Sequence, residues 1–92
     1  MTAYVIAEVE VLDAEAFKAY GPLVRAAVEH HGGSYVVRGA TVTPLEGEAP
    51  KRIAMLAFEN AAAAKRWHES PEYREAKAIR LRSTNTRMFI VE

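Results

Sequence analysis

The 92-residue sequence predicts an α+β fold, a βαββαβ plait in which a four-stranded antiparallel sheet carries both helical segments on one face. Three observations predict it. Alternating apolar residues indicate a strand over 3–12, apolar residues spaced by three and four indicate a helix over 14–31, and a run that is apolar on both faces indicates a central strand over 51–59. With 50% hydrophobic and 26% charged residues, the composition is typical of a globular protein, so we expect one domain over 1–92 with a thin core.

The first half of the chain contains a strand and an interrupted helix. The strand places alternate residues on one face, namely Ala3, Val5, Ala7, Val9 and Val11. Asp13 is predicted to cap the helix that begins at Ala14. Gly21-Pro22 interrupts its apolar spacing, and because proline lacks a backbone N–H we expect a kink or a fresh start there. The helix is expected to end at Gly32-Gly33.

The second half completes the sheet and supplies two short helices. Gly39 indicates a bulge in the second strand, and residues 41–45 are expected to continue that strand towards an edge before a turn. Asn60 and Ser70 are each placed to cap a helix, and Pro71 then takes the first helical position. The remaining strands and helices are predicted at 34–38, 51–59, 61–67, 71–81 and 87–91.

One face of this sheet has no helix to cover it. It carries Tyr4, Ile6 and apolar members of the third and fourth strands, and leaving these wet would expose a sizeable apolar patch. We therefore expect a homodimer in which two open sheet faces pack about a two-fold axis.

Composition and charge exclude several classes of function. The net charge is zero, from 12 basic and 12 acidic residues, so we expect neither nucleic acid nor an anionic membrane as a partner. The absence of cysteine excludes disulfides, thiolate metal sites and a cysteine nucleophile. Without a glycine-rich phosphate loop we expect no cofactor, and we expect no metal. No leader precedes a hydrophobic run, so a soluble cytoplasmic protein is expected.

Motifs spread over almost the whole chain resemble the DUF1330 family of uncharacterised small proteins. The most specific are Arg38-Gly39 followed by Leu45-Glu46-Gly47, and the segment Ser70-Pro71-Glu72-Tyr73. The others are Tyr20, Gly32-Gly33, Arg52, Phe58, Trp67, Arg80 and Ile90-Val91. Ala40 departs from the second glycine expected after Arg38-Gly39.

The resemblance implies a ferredoxin-like fold of the dimeric α/β-barrel kind and no established activity. Related dimeric barrels include cofactor-independent oxygenases, lactone isomerases, haem-dependent enzymes and stress-response proteins. Fold analogy does not choose among these, because function resides in the site.

Three arginines are candidate ligand-binding residues. Arg38 and Arg52 lie on neighbouring strands and could bring two guanidiniums to one end of a cleft, which suits a carboxylate. The alternative is a structural network with Glu8, Glu10 or Glu46. Arg80 either binds an anion or meets Glu72 or a partner chain.

The histidines are candidates for proton transfer. His31 shares a helix face with Phe17, and His68 lies beside Trp67, so either could act as a base near neutral pH. His30 and His31 are adjacent on a helix and should point about 100° apart, which is wrong for two ligands of one metal. A helix C-cap role is the alternative for at least one of them.

Three aromatic residues complete the candidate site. Tyr20 and Trp67 could line an aromatic pocket, with the Tyr73 hydroxyl orienting the ligand or moving a proton. The alternative is that they form the core between helices and sheet.

We therefore expect a small homodimer that binds an anionic or aromatic molecule in a cleft between sheet and helices, as a cofactor-independent isomerase or oxygenase if it is an enzyme. The alternative function is a non-catalytic interaction or stress-response module in which the same residues serve dimerisation.

Overall fold

The computed structural model describes residues 2–92, and these form one antiparallel sheet backed by helices. The sheet order is β2-β3-β1-β4. The elements are β1 (Ala3–Val11), α1 (Ala14–Phe17), α2 (Tyr20–His30), β2 (Ser34–Thr41), β3 (Arg52–Phe58), α3 (Ala61–Glu69), α4 (Pro71–Ser83) and β4 (Thr84–Val91). The predicted α+β plait with a four-stranded antiparallel sheet is confirmed, and each helical segment consists of two consecutive helices.

The helix boundaries follow the predicted caps. Asp13 accepts a hydrogen bond from the Ala16 N–H at the start of α1, and Asn60 does the same for Ala63 in α3. The expected fresh start near Gly21-Pro22 occurs at Tyr20, so that Pro22 lies in the first turn of α2, where the N–H it lacks would have no partner within the helix.

Ser70 joins the two helices of the second segment. Its hydroxyl donates to the Trp67 carbonyl at 2.7 Å and accepts from the Tyr73 N–H at 3.2 Å. One side chain therefore ends α3 and caps α4, which fixes the angle between them and places Trp67 and Tyr73 on the same side.

Two strand boundaries differ from the sequence prediction. The bulge at Gly39 (φ 57°) shifts the register between Val37 and Ala40, as predicted, and pairing then resumes. β2 ends at Thr41 rather than continuing to residue 45, because Thr41 pairs with Arg52, the first residue of β3. β4 begins at Thr84 rather than Arg87, because α4 runs straight into it and the Thr84 hydroxyl donates to the Arg80 carbonyl at 2.6 Å.

The core lies between the sheet and the helices. Its members are Val5, Val24, Ala27, Val28, Leu56, Phe58, Ala63, Ala64, Trp67, Tyr73 and Ala76. At the end of α2 the backbone passes so close to this core that a Cβ on Gly33 would lie 2.6 Å from the Phe58 ring. Any larger residue at position 33 would therefore displace Phe58.

The opposite face of the sheet is open and apolar. It includes Tyr4, Ile6 and Phe89, and the exposed fraction of Phe89 is 38%. Within the described residues, no helix is both long and apolar enough to span a membrane.

Candidate functional site

A cavity of about 550 Å³ lies between the sheet and the helices α1, α2 and α4. This volume falls in the range typical of small-molecule sites. The lining residues come from α1 and α2, from the helix-facing side of all four strands, and from α4. They are Ala7, Val9, Phe17, Tyr20, Gly21, Pro22, Val24, Arg25, Tyr35, Arg38, Gly39, Arg52, Ala54, Arg80 and Met88.

The charged residues that line the cavity are all arginines. Arg25 lines the cavity together with Arg38, Arg52 and Arg80. Its guanidinium lies 3.6 Å from the exposed Glu29 carboxylate. Within residues 2–92, no ion pair involves Arg38, Arg52 or Arg80. The cavity is therefore an apolar space with an uncompensated positive charge, which suits an anion.

Two contacts hold the strand arginines at the cavity. The Arg38 guanidinium lies 4.7 Å above the centre of the Tyr35 ring, at cation–π distance. Arg52 donates from Nε to the Gly39 carbonyl at 3.2 Å, so the bulge in β2 orients the side chain of its neighbour β3. The remaining guanidinium N–H groups of both are free of protein acceptors within hydrogen-bond distance in the described structure.

The structural network that was the alternative for Arg38 and Arg52 does not form. Glu8 pairs instead with Arg87 on the open face of the sheet, at 3.1 Å. The alternation along β1 explains this, since Glu8 points away from the helices while its neighbours Ala7 and Val9 line the cavity.

A hydrogen-bonded chain of three side chains runs from α4 to the cavity. Arg80, only 6% exposed, donates from Nε to the Tyr73 hydroxyl at 3.2 Å, and the Tyr73 and Tyr20 hydroxyls lie 2.7 Å apart. Since Tyr73 Oη accepts from a cation, its own proton is best placed on the bond to Tyr20. The Tyr20 hydroxyl then has a proton to donate to a ligand.

Burial and the neighbouring Tyr73 raise the pKa of Tyr20 well above its ordinary value of 10.0. Tyr20 therefore stays protonated at physiological pH and acts as a hydrogen-bond donor. Its ring stacks on Phe17, with centroids 5.1 Å apart, so α1 and α2 together form the aromatic wall of the cavity.

Trp67 and Tyr73 lie in the core, not on the cavity wall. Their exposed fractions are 1% and 0%, and Trp67 packs between Tyr73 and Phe58 at centroid distances of 4.3 and 5.5 Å. This packing favours the alternative interpretation of Trp67, as a core residue rather than a ligand contact. Tyr73 does not line the cavity, and its hydroxyl contacts two residues that do, Tyr20 and Arg80.

His68 lies outside the cavity, on the opposite side of Trp67, beside a smaller space of about 220 Å³ between α3 and β4. Partial burial and the nearby Lys77 lower the pKa of its imidazole below the ordinary value of 6.5. A neutral imidazole is the form a base needs, but of the other site residues predicted from the sequence only Trp67 lines this space with His68.

The prediction that His30 and His31 diverge is wrong. His31 Nε2 lies 2.9 Å from Glu72 Oε1, and His30 Nε2 lies 3.9 Å from Glu72 Oε2. The spacing of 100° per residue fails because α2 ends at His30, and His31 has the non-helical dihedral angles φ −100°, ψ 15°. Glu72 is thereby engaged by histidines, and its expected pairing with Arg80 does not occur.

Among the lining residues that sequence reasoning missed, three are charged or aromatic: Phe17, Arg25 and Tyr35. Arg25 lies four residues after Gly21 and one after Val24, so helical spacing alone places it near the other α2 lining residues. Phe17 was assigned only to the helix, and Tyr35 only to the strand. The order Tyr35-x-x-Arg38 was the available signal for Tyr35, but regular strand alternation places residues three apart on opposite faces and so gives no sign of their contact.

The architecture defines the class of protein. A β2-β3-β1-β4 antiparallel sheet with helices on one face is the ferredoxin-like fold, here with a cavity between the two layers. The sequence matches the family model described as "Domain of unknown function (DUF1330)" over residues 2–92. The chain belongs to that family, as its motifs predicted.

Solved structures with the same fold cover nearly all of the chain. A protein of unknown function from Rhodopseudomonas palustris is 23% identical, with a TM-score of 0.78 over 98% of this chain and 80% of the other. A dimeric ferredoxin-like protein of unknown function from Jannaschia sp. CCS1 is 13% identical, with a TM-score of 0.77 over 100% and 99%. SnoaB, a cofactor-independent oxygenase from Streptomyces nogalater, is 11% identical, with a TM-score of 0.66 over 99% and 91%. None of the curated proteins compared with the chain matches it.

Proposed function

We propose that this protein binds a small anionic molecule with an apolar or aromatic body in the cavity between sheet and helices, and that it does so as a homodimer. The observation that carries the proposal is the set of arginines around an otherwise apolar cavity, with no carboxylate among the lining residues. Arg80 is only 6% exposed and has no ion pair within the described residues, so an anionic ligand nearby would relieve the cost of its burial. Arg38 and Arg52 are exposed, which keeps their guanidinium groups accessible to that ligand.

The binding mode follows from the positions of the side chains. Arg38 and Arg52 offer guanidinium forks from neighbouring strands, and these match the two oxygens of a carboxylate. The apolar body of the ligand would lie against Phe17 and Met88. Tyr20 would donate its hydroxyl proton to a second oxygen of the ligand, which orients the molecule in the cavity.

If the protein is an enzyme, the same arrangement favours isomerisation or cofactor-independent oxidation of the bound molecule. Tyr20 would stabilise negative charge that develops on a carbonyl or phenol oxygen, and Tyr73 and Arg80 would hold Tyr20 in position. In this assignment the sequence-based candidates His31 and His68 have no part in the chemistry, because neither lines the cavity. The support from fold is limited to the likeness to SnoaB, which is described as a cofactor-independent oxygenase.

The homodimer is supported by the open sheet face. Its apolar residues Tyr4, Val36, Phe89 and Val91 are 38 to 53% exposed, and a second copy would bury them. The Jannaschia neighbour, which shares the fold, is described as dimeric. Dimerisation through this face would leave the cavity on the other side of the sheet untouched, so the non-catalytic module in which one set of residues serves dimerisation is the less favoured alternative.

Thermal unfolding of wild type and Arg38→Met against small aromatic carboxylates, aliphatic carboxylates, phenols and lactones tests the ligand proposal. A ligand present at about one hundred times its dissociation constant adds about 2.7 kcal/mol to the free energy of unfolding, a shift in Tm on the order of 10 °C for a domain of this size. We expect an aromatic carboxylate to raise the Tm of the wild type and not of Arg38→Met.

Arg66→Met is the matched control, because Arg66 is exposed on α3 and lines none of the cavities described. It should respond to the carboxylate as the wild type does. Equal shifts in all three proteins would contradict an arginine-lined site. A shift with neutral lactones alone would contradict the requirement for an anion.

A further inference from the structure

We propose that His30, His31 and Glu72 form a binding site for a divalent transition-metal ion, with Zn²⁺ the best fit, that joins the end of α2 to the start of α4. None of the three residues lines the arginine-rich cavity. The inference is therefore independent of the ligand proposed for that cavity.

The three side chains already approach the spacing of a metal site. Their ligand atoms all lie within 4.8 Å of one another, with 2.9 Å between His31 and Glu72 and 3.9 Å between His30 and Glu72. In a tetrahedral zinc site with bonds of about 2.0 to 2.2 Å, neighbouring ligand atoms are about 3.3 Å apart. Small side-chain rotations would bring all three atoms to that separation.

The backbone holds the ligands before any metal arrives. Glu72 is the second residue of α4, behind Pro71 and the Ser70 cap, so its position is fixed relative to the helix. His31 is the C-cap of α2, and its side chain is only 20% exposed. The two imidazole rings are 5.1 Å apart and inclined by 69°, so they do not stack, and the Nε2 atom of each lies within 4 Å of a Glu72 carboxylate oxygen.

Glu72 has no competing cation in the described residues, where its ion pairs are with these two imidazoles. The carboxylate contacts one histidine through each oxygen. In this arrangement two imidazole nitrogens and one carboxylate lie close enough together to bind one metal ion.

The ligand set selects the class of metal. Imidazole nitrogens favour Zn²⁺ and its first-row neighbours, whereas Ca²⁺ and Mg²⁺ prefer oxygen ligands alone. Three protein ligands leave the fourth tetrahedral position to water, and the exposed edge of His30 faces solvent. The carbonyls at the end of α2 add a partial negative charge that favours a cation nearby.

Calorimetric titration of the EDTA-treated, dialysed protein with ZnCl₂ tests the site. We expect saturable binding of one Zn²⁺ per chain, together with a Zn²⁺-dependent rise in Tm that EDTA reverses. His31→Ala and Glu72→Gln should each weaken Zn²⁺ binding at least about tenfold, since even outer partners of metal ligands typically cost that much. Titration with CaCl₂ should give no saturable heat.

His68→Ala is the matched control. The sequence contains three histidines and no cysteine, so His68 is the one imidazole outside the proposed site. It should bind Zn²⁺ within about twofold of the wild type, because it shares no ligand with the site. Glu72→Gln keeps the shape of the side chain and the Ser70 cap, so circular dichroism should find it folded even if His31→Ala is not.

Three results would overturn the proposal. One is the absence of saturable Zn²⁺ binding to the wild type. Another is an equal loss of binding in His68→Ala, which would indicate adventitious binding by any histidine. The third is a folded Glu72→Gln that binds as tightly as the wild type.

Discussion

The two faces of the sheet differ in where their charged and apolar residues lie. On β3, the residues that face the helices begin with Arg52 and Ala54 at the cavity, whereas Ile53 and Met55 face the open side. The cavity side of the sheet thus carries arginines without a carboxylate, and the open side carries an apolar patch beside the Glu8–Arg87 ion pair. We propose that each face binds a different partner: an anion in the cavity, and a second copy of the chain on the apolar patch.

The largest expected effect is on the open face. Ile6→Asp would place two carboxylates in a two-fold interface, one from each chain, and the desolvation of each costs several kcal/mol. We expect sedimentation velocity at micromolar concentration to give a dimer for the wild type and a monomer for Ile6→Asp. Leu81→Asp, on the exposed side of α4, is the control and should remain dimeric. A monomeric wild type would remove the proposed role of the open face.

The next effect is in the core under the helices. Trp67→Ala removes a ring that is 1% exposed, and truncations of this kind cost about 3–5 kcal/mol. Urea unfolding should report a loss in that range, whereas Leu81→Ala should change the free energy of unfolding by less than about 0.5 kcal/mol. A small loss in Trp67→Ala would instead favour the interpretation of Trp67 as a ligand contact that the core does not need.

A smaller effect is expected at the wall of the cavity. Tyr20→Phe deletes the hydroxyl that faces the ligand and keeps the ring against Phe17. A hydrogen bond of this kind contributes about 0.5–1.5 kcal/mol, so calorimetry should find the affinity for an aromatic carboxylate lowered by about two- to tenfold. Tyr4→Phe is the control, since Tyr4 lies on the open face of the sheet and does not line the cavity. Unchanged affinity in Tyr20→Phe would contradict its role as donor.

The smallest effect lies outside both faces, at the junction of α2 and α4. The hydrogen bond from His31 holds the pKa of Glu72 below its ordinary value of 4.5. Since the folded-state pKa is the lower one, the stabilisation is fully present above about pH 4.5 and is lost as the pH falls through the folded-state value. In the presence of EDTA, the wild type should therefore exceed Glu72→Gln in Tm at pH 6, and the difference should shrink as the pH falls below 4.5. A difference that grows on acidification would have the wrong sign.

The fold could be predicted because its signals are local. The period-two alternation in β1 and the caps at Asp13, Asn60 and Ser70 each depend on residues within a few positions, and each is confirmed. The motifs led to the correct family over residues 2–92. The errors in strand length at Thr41 and Thr84 lie at element ends, where the start of the partner strand at Arg52 and a direct helix-to-strand transition decide the boundary.

The candidate site was less predictable because it depends on distant pairs. Tyr20 and Tyr73 are 53 residues apart in sequence, and nothing local indicates that their hydroxyls meet. The sequence also suggested ion pairing of Arg80 with Glu72, yet helix packing turns Arg80 inward and leaves Glu72 to the histidines. Arg38, Arg52 and Tyr20 were predicted as ligand-binding residues from residue type and strand position, and they line one cavity.

The most direct test of the central claim is to observe the arginines themselves. Nuclear magnetic resonance of the arginine Nε–H groups, recorded during titration with benzoate as the probe, separates arginines that line the cavity from those outside it. We expect saturable shifts for Arg38, Arg52 and Arg80, and none for Arg66 and Arg74, which do not line the cavity. Shifts confined to the arginines outside the cavity, or equal in all of them, would contradict the cavity as an anion-binding site.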